Sequence, residues 1–419
     1  MFFAILAQIF HTLKANKLRS FLTMFGIAWG VLSIILMTAS GEGFKVAQRE
    51  SLGQLGRDIL IIWGGRTSIQ AEGFQSGRDI RLEYSDYEAI RDRARLIKYV
   101  SPEIIRGDLV AKTEINFGTF STRGVLPEYQ ILRTITVQYG RLMTEGDNRD
   151  ARTICVIGSE VNKQLFNGVP SVGRTLSLNG HPFQVIGIMP HKELNNTYQG
   201  QDHSAIFIPY TTMKRLFSNP YLGSSREYVD NLIAAPIRHA LYREAELEVR
   251  KVLARKNHFN PQDEDAVGIW NTGRQVEMMD IMMGSMQWFM GTVGLVTLLL
   301  GAVGVINIML VSVRERTMEI GLRKSVGATR FQILVQFFAE SLILTLLAGG
   351  FGLIAGWGIC SWINTLPLPT MIFAGMIVSP AIGIIALVCL VLIGIGAGIY
   401  PAFMAAEMDP IEALRWESG

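Results

Sequence analysis

Few side chains in this 419-residue chain stand at spacings that would let them do chemistry. Gln201-Asp202-His203-Ser204 sets an acid, an imidazole and a hydroxyl side by side, the one cluster that suggests catalysis. His181, His191 and His239 are scattered, and none pairs with a carboxylate at helical spacing as in a zinc-protease helix. No G-x-S-x-G offers a nucleophile elbow. The dipeptide Gly-Lys never occurs, so the sequence contains no G-x-x-x-x-G-K-[ST] phosphate loop and is not expected to hydrolyse nucleotide. Three cysteines, Cys155, Cys360 and Cys389, allow neither a disulfide framework nor a cysteine-based zinc site. A polar loop between strands accounts for residues 201–204, and no catalytic residue and no metal ligand is expected.

The spacing that does carry meaning lies in residues 307–329, NIMLVSVRERTMEIGLRKSVGAT, between two long apolar runs. Arg314, Glu315, Arg316, Glu319, Arg323 and Lys324 crowd into it. At helical spacing Met318, Leu322 and Val326 form an apolar stripe, with Glu315, Glu319 and Arg323 along another. Glu319 before Arg323 is the favourable order for an ion pair one turn apart. Gly327 supplies the stop. A solvated loop needs no apolar stripe, so residues 314–330 read as a short amphipathic helix, Glu315–Gly327, that docks on something. Two polar residues inside neighbouring apolar runs stand out: Asn307 and Glu340. A carboxylate at such a place is costly unless paired.

The elements around this block follow from composition. The chain is 49% hydrophobic with a positive mean hydropathy, too apolar for an ordinary soluble enzyme. Net charge is only +3, which gives no pointer to nucleic acid. Residues 1–19 alternate apolar and polar positions as an amphipathic helix on a membrane surface. Residues 20–41 carry no charge and are long enough to span. Residues 285–313 form a second span, 331–364 a third and 371–402 a fourth, with a polar tail at 403–419. No Asp, Glu, Lys or Arg occurs between Glu340 and Glu407, a run that suits two helices. Lys14, Lys17 and Arg19 precede the first span, and five cations lie within residues 314–330. The positive-inside bias puts these, and both termini, in the cytoplasm.

Residues 42–284 then lie outside. Mixed charges return there, together with short β-rich runs. A strand is expected at 58–63 and a helix at 85–98 with Ser85 as N-cap. A hairpin turn is expected at Asn179-Gly180, a strand at 228–234 and a helix at 236–255. The expected fold is a membrane protein, α-helical with four transmembrane helices, plus a large extracytoplasmic α+β domain. That domain is a split α+β subdomain with a β-rich insert at about 118–217.

Residues 307–328 resemble the signature loop of the MacB/FtsX-type permeases of ABC transporters. Residues 16–30 (NKLRSFLTMFGIAWG) resemble the family's approach to its first membrane helix, and residues 398–415 (GIYPAFMAAEMDPIEALR) its exit from the last. Three motifs in the right order cover both membrane ends; residues 43–283 match only by position and size. The resemblance implies the permease subunit of an ABC transporter in the bacterial inner membrane, without an ATPase domain of its own. It assigns coupling to Glu315, Arg316, Met318, Glu319, Ile320, Leu322, Arg323, Lys324, Val326 and Gly327, and Glu340 matches an acidic position in the family. The implied partners are a cytoplasmic ABC ATPase, a second permease copy or paralogue, a periplasmic membrane fusion (adaptor) protein, an outer-membrane channel and membrane lipids. No cofactor is expected on this chain; ATP and Mg belong to the partner. Export of drugs, peptides or other periplasmic compounds by transmitted motion is the implied job. Lipoprotein release and cell-wall hydrolase activation are alternatives within the family, and a membrane-anchored enzyme or sensor is one outside it.

Overall fold

A computed structural model describes residues 17–55, 58–71, 73–191, 198, 200–217, 227–367 and 373–415. The first sixteen residues of the amphipathic stretch expected at 1–19, and the last four residues of the chain, lie outside them. The chain forms two compact units, Met1–Ala47 with Asp280–Gly419, and Gln48–Met279.

The first helix, α1, runs Lys17–Leu55. The elements of the second unit follow in order: β1 Leu60–Gly64, α2 Tyr84–Arg93, β2 Ile97–Arg106, β3 Val110–Lys112, β4 Phe117–Thr119, β5 Ser121–Val125 and α3 Pro127–Leu132. Next come β6 Tyr139–Gly140, α4 Glu145–Arg149, β7 Ile154–Ile157, α5 Ser159–Phe166, β8 Thr175–Leu178 and β9 His181–Ile188. The unit closes with β10 Ala205–Pro209, α6 Tyr210–Phe217, β11 Asn231–Pro236, α7 Tyr242–Asn257 and β12 Val267–Asn271.

These strands make one mixed sheet in the order β12-β1-β11-β2-β5-β10-β7-β9-β8-β3-β4, with β6 beside β9. Pairs β5–β10 and β7–β9 are parallel and the others antiparallel. The split α+β part and the β-rich insert therefore share a sheet, joined where β2 pairs with β5. Ile90 of α2 and Val249 and Leu253 of α7 pack on Leu60, Ile62 and Leu232 of the sheet. At the other end Val161, Leu165 and Met213 of α5 and α6 pack on Cys155, Ile157, Ile206 and Ile208. Asn179 and Gly180 both take positive φ, 45° and 90°, the pair a two-residue hairpin needs between β8 and β9.

Several boundaries differ from the sequence reading. Helix α2 starts at Tyr84, because Asp86 accepts the Glu83 amide at 2.8 Å and closes the cap two residues early; Ser85 lies inside. The helix expected from residue 236 begins at Tyr242, since Pro236 ends β11 at a register shift. Strand β12, unread in the sequence, pairs with β1 along its whole length.

The remaining elements belong to the membrane unit: α8 Thr272–Glu315, α9 Thr317–Ser325, α10 Arg330–Ile363, α11 Pro380–Glu407 and α12 Pro410–Arg415. Among the described residues four helices, α1, α8, α10 and α11, are long and apolar enough to cross a membrane. Ile27 and Val31 of α1, Leu298 and Val305 of α8, Phe337 of α10 and Leu390 of α11 share one core. Glycines bring the helices close: a Cβ on Gly352 of α10 would sit 2.5 Å from the Ala28 carbonyl oxygen of α1. Trp288, Phe289, Phe351 and Trp357 face outward and suit lipid. Thr292 and Thr297, on that outward surface, donate to the carbonyls of Trp288 and Val293 at 2.9 Å, so neither hydroxyl is left bare toward lipid.

Candidate functional site

Helix α8 stops at Glu315 and α9 starts at Thr317, with Arg316 alone between them at φ −106° and ψ 16°. One non-helical residue redirects the chain. The Thr317 hydroxyl donates to the carbonyls of Val313 and Arg314 at 3.2 and 2.8 Å, which satisfies oxygens that the interrupted ladder leaves open. Arg316 reaches into the bundle, where its Nη1 lies 3.3 and 3.1 Å from the two carboxylate oxygens of Glu340. Glu340 is 2% exposed on α10, and its burial is made tolerable by that pair.

Helix α9 is two-sided. Ile320 is 2% exposed and belongs to the bundle core, with Thr317 and Gly321 on the same face. Met318, Leu322 and Val326 are 66%, 58% and 82% exposed. The helix sorts the residues implied for coupling accordingly. Glu315, Glu319 and Gly327 are exposed with the stripe, while Ile320 faces inward. Val326 stands just past the last helical residue and Gly327, at φ +107°, turns the chain; its amide donates to the Lys324 carbonyl at 3.1 Å.

The cations of α9 are tied down from three directions. Arg323 pairs with Glu319 at 2.5 Å and donates to Gln336 of α10 at 2.6 Å. Lys324 Nζ donates to the carbonyls of Ala406 and Met408 at 2.8 and 2.5 Å, at the C-terminal end of α11. An ammonium there meets both the open carbonyls and the negative pole of the helix. Helix α12 packs on α9, with Ala413 buried and Ile411 exposed. Asp409 Oδ1 accepts the Ile411 amide at 2.8 Å and starts α12. Asn307 takes no part in this assembly and lies on an exposed face of α8.

Of residues 201–204, Asp202 belongs to a buried network in the other unit. Asp202 accepts from Arg133 Nη2 at 2.7 and 2.9 Å and from Arg123 Nη1 at 3.1 Å. Glu103 accepts from the hydroxyls of Tyr129 and Tyr198, each at 2.7 Å, and from Asn231 at 3.1 Å. Arg123, Arg133, Glu103 and Asp202 have fully buried side chains. Burial, with the Glu103 charge, pushes the Tyr129 phenol well above its ordinary pKa. The charges neutralise one another and the tyrosines are locked as donors, an arrangement that fixes strands β2, β5 and β11 together without an accessible nucleophile or base. Cys155 is buried too, its thiol pushed up by burial and unreactive. The network escaped the sequence reading because its members lie up to 128 residues apart among many solvated charges.

With this geometry in view, residues 20–251 match the model of the MacB-like periplasmic core domain. The chain belongs to the MacB/FtsX-type permeases. Residues 291–410 of this permease match the FtsX-like permease C-terminal model, which contains α9, Glu340 and the Lys324 acceptors. The permease is 34% identical to the macrolide export ATP-binding/permease protein MacB of Bdellovibrio bacteriovorus, over 98% of this chain and 61% of that one. It is likewise 34% identical to the protein of that name from Chlorobium luteolum, over 99% and 60%. The uncharacterized ABC transporter permease YknZ of Bacillus subtilis is 28% identical over 96% of both chains. The chain thus spans about three fifths of the length of the MacB relatives it matches.

Proposed function

We propose that this multi-pass permease passes the motion of an ABC ATPase to its large outer domain, and that α9 is the surface on which the ATPase docks. The observation that supports this reading most is the exposed Met318/Leu322/Val326 stripe on a helix whose opposite face is anchored by Ile320, Arg316–Glu340 and Lys324. A side held rigid and a side left apolar and open suit an element that is pushed. Sealing Leu322 in a groove contributes roughly 1.5–3 kcal/mol, and the rim charges Glu315, Glu319 and Arg323 set orientation more than affinity. ATP and Mg are bound by the ATPase, not by these residues. The permease works as a dimer; Asn307, polar on an exposed face of a spanning helix, suits a helix–helix contact with the second copy. The cation bias places both termini and α9 in the cytoplasm. The handled compound is then met outside the membrane, with export the reading that the MacB relatives' names favour. A membrane fusion protein would continue the path.

The test is Leu322→Asp. Co-purification of the ATPase and transport in cells should both fall at least about tenfold, while membrane insertion and the melting temperature stay as in the unmodified chain. Normal co-purification and normal transport by that variant would move the docking role elsewhere, α12 with its exposed Ile411 being the next choice.

A further inference from the structure

Methionine is spread unevenly along α8. Six of the chain's eighteen lie within residues 278–290, whereas residues 291–315 of the same helix hold Met309 alone. Further along, the helix turns Leu295, Val296, Leu299, Leu300 and Val303 outward. It meets lipid with leucine and valine, then, and carries sulfur at the end away from α9. Met283, Met286 and Met290 are half-buried there and take no part in the bundle core, so core filling does not account for them.

A second helix brings a further thioether to the same place. Gly30, Ile34 and Gly41 of α1 pack against Leu298, Gly294 and Gln287 of α8, where added Cβ atoms on the glycines would come within 2.8, 2.2 and 3.3 Å of the facing side chains. This constant antiparallel register sets Met37, between Ile34 and Gly41, level with residue 291. At about 100° per residue Met37 falls roughly 50° off the line of contact on α1. Met283, Met286 and Met290 fall roughly 30–90° off it on α8. Because the helices are antiparallel and both right-handed, these displacements are to the same side of the α1–α8 groove. Met37 is also half-buried and outside the core. A further sulfur stands on the next turn of α1, where Met376 Sδ accepts the Ser40 hydroxyl at 3.2 Å.

We propose that Met37, Met286 and Met290 bind one soft monovalent metal ion of the Cu(I) class in this groove. Thioether sulfur is a soft ligand that selects Cu(I) over harder metals. Methionine's three rotatable bonds let sulfurs from successive turns, ~5–6 Å apart at Cβ, converge on one ion. Three neutral ligands leave a single positive charge, far less costly at a membrane edge than a divalent ion. Harder metals find no rival site, since among the described residues no three histidine, cysteine or carboxylate side chains gather. The site needs neither nucleotide nor a partner, so its failure leaves the transport reading untouched.

The probe is Ag(I), added as nitrate in chloride-free buffer, a redox-inert ion with the same preference for sulfur. It is titrated calorimetrically onto the full chain in lipid nanodiscs, with Cys155, Cys360 and Cys389 replaced by alanine and empty nanodiscs subtracted. Saturable binding of one ion per chain is expected. Met290→Leu, which keeps volume and apolarity, should weaken it at least about tenfold, as loss of a metal ligand does. The triple variant Met37→Leu/Met286→Leu/Met290→Leu should abolish it, while any heat from Zn(II) stays the same. No saturable Ag(I) binding, or binding undiminished in the triple variant, would overturn the proposal. Should the cysteine-free chain fail to fold, the comparison is made with the cysteines present. The triple variant should then take up one Ag(I) fewer than the unmodified chain, and equal uptake decides against the site.

Discussion

Arg316 and Glu340 face one another 3.1 Å apart, twenty-four positions apart in sequence, at the one residue where α8 gives way to α9. The arginine that breaks the helix is also the one that neutralises the buried acid. Glu340→Ala should therefore lower stability by roughly 3 kcal/mol, because Arg316 is left charged and largely buried. The double variant Arg316→Ala/Glu340→Ala should recover part of that loss. Melting of four detergent-solubilised proteins, the unmodified chain, Arg316→Ala, Glu340→Ala and the double variant, checks this; additive losses would show that the two residues do not interact.

Ile320 and Leu322 are two positions apart on α9 and should behave oppositely. Ile320→Asp places a charge in the bundle core and should cost about 3 kcal/mol or more, seen as poor accumulation in the membrane. Leu322→Asp should accumulate normally. Immunoblots of membrane fractions separate the two, and equal accumulation would mean that α9 is not anchored through Ile320.

How far the sequence reaches is shown by these same residues. The stripe Met318/Leu322/Val326 was legible because helical periodicity is local, and Glu340 because an acid in an apolar run is rare. Periodicity sets Ile320, two residues from Met318 and from Leu322, on the opposite face from the stripe, but only the packing of α9 on the bundle tells which face is inside. Lys324 reads as one more loop cation until Ala406 and Met408, more than eighty residues later, are brought to it. Glu103, Arg123, Arg133 and Asp202 failed for the same reason, since a place in the sequence says nothing of which distant charge will meet it.

Close helix approach gives a third prediction. Gly352→Ala forces a methyl group against backbone of α1 and should cost about 1–3 kcal/mol. Gly350→Ala, two residues away with nothing within 4 Å, should be neutral or slightly stabilising. Thermal melts of both variants check it; equal effects would mean that α1 and α10 do not touch at Gly352.

Acid should loosen the outer unit through Asp147. Arg141 donates to it at 2.6 and 3.1 Å, and the amide and hydroxyl of Thr144 donate at 3.0 and 2.8 Å. Arg141 first, then Thr144, holds its pKa below the usual carboxylate range against the opposing effect of burial. A carboxylate with a depressed folded pKa contributes stability that is fully present above its unfolded value, about 3.9, and lost as pH falls toward the folded one. Asp147→Asn should thus be less stable than the unmodified chain at pH 7, with the gap closing below about pH 4. Melting temperatures across that range check it, and a gap independent of pH would assign the loss to packing.

The single-residue joint at Arg316 carries a mechanical corollary. A hinge of one residue, left to itself, would let α9 swing and dissipate any force applied to it. Here α9 is braced at three points: Arg316 to Glu340, Arg323 to Gln336 of α10, and Lys324 to the end of α11. A load placed on its apolar face would be shared among α8, α10 and α11 at once, as in a truss, and cutting one strut would redistribute the force rather than release it.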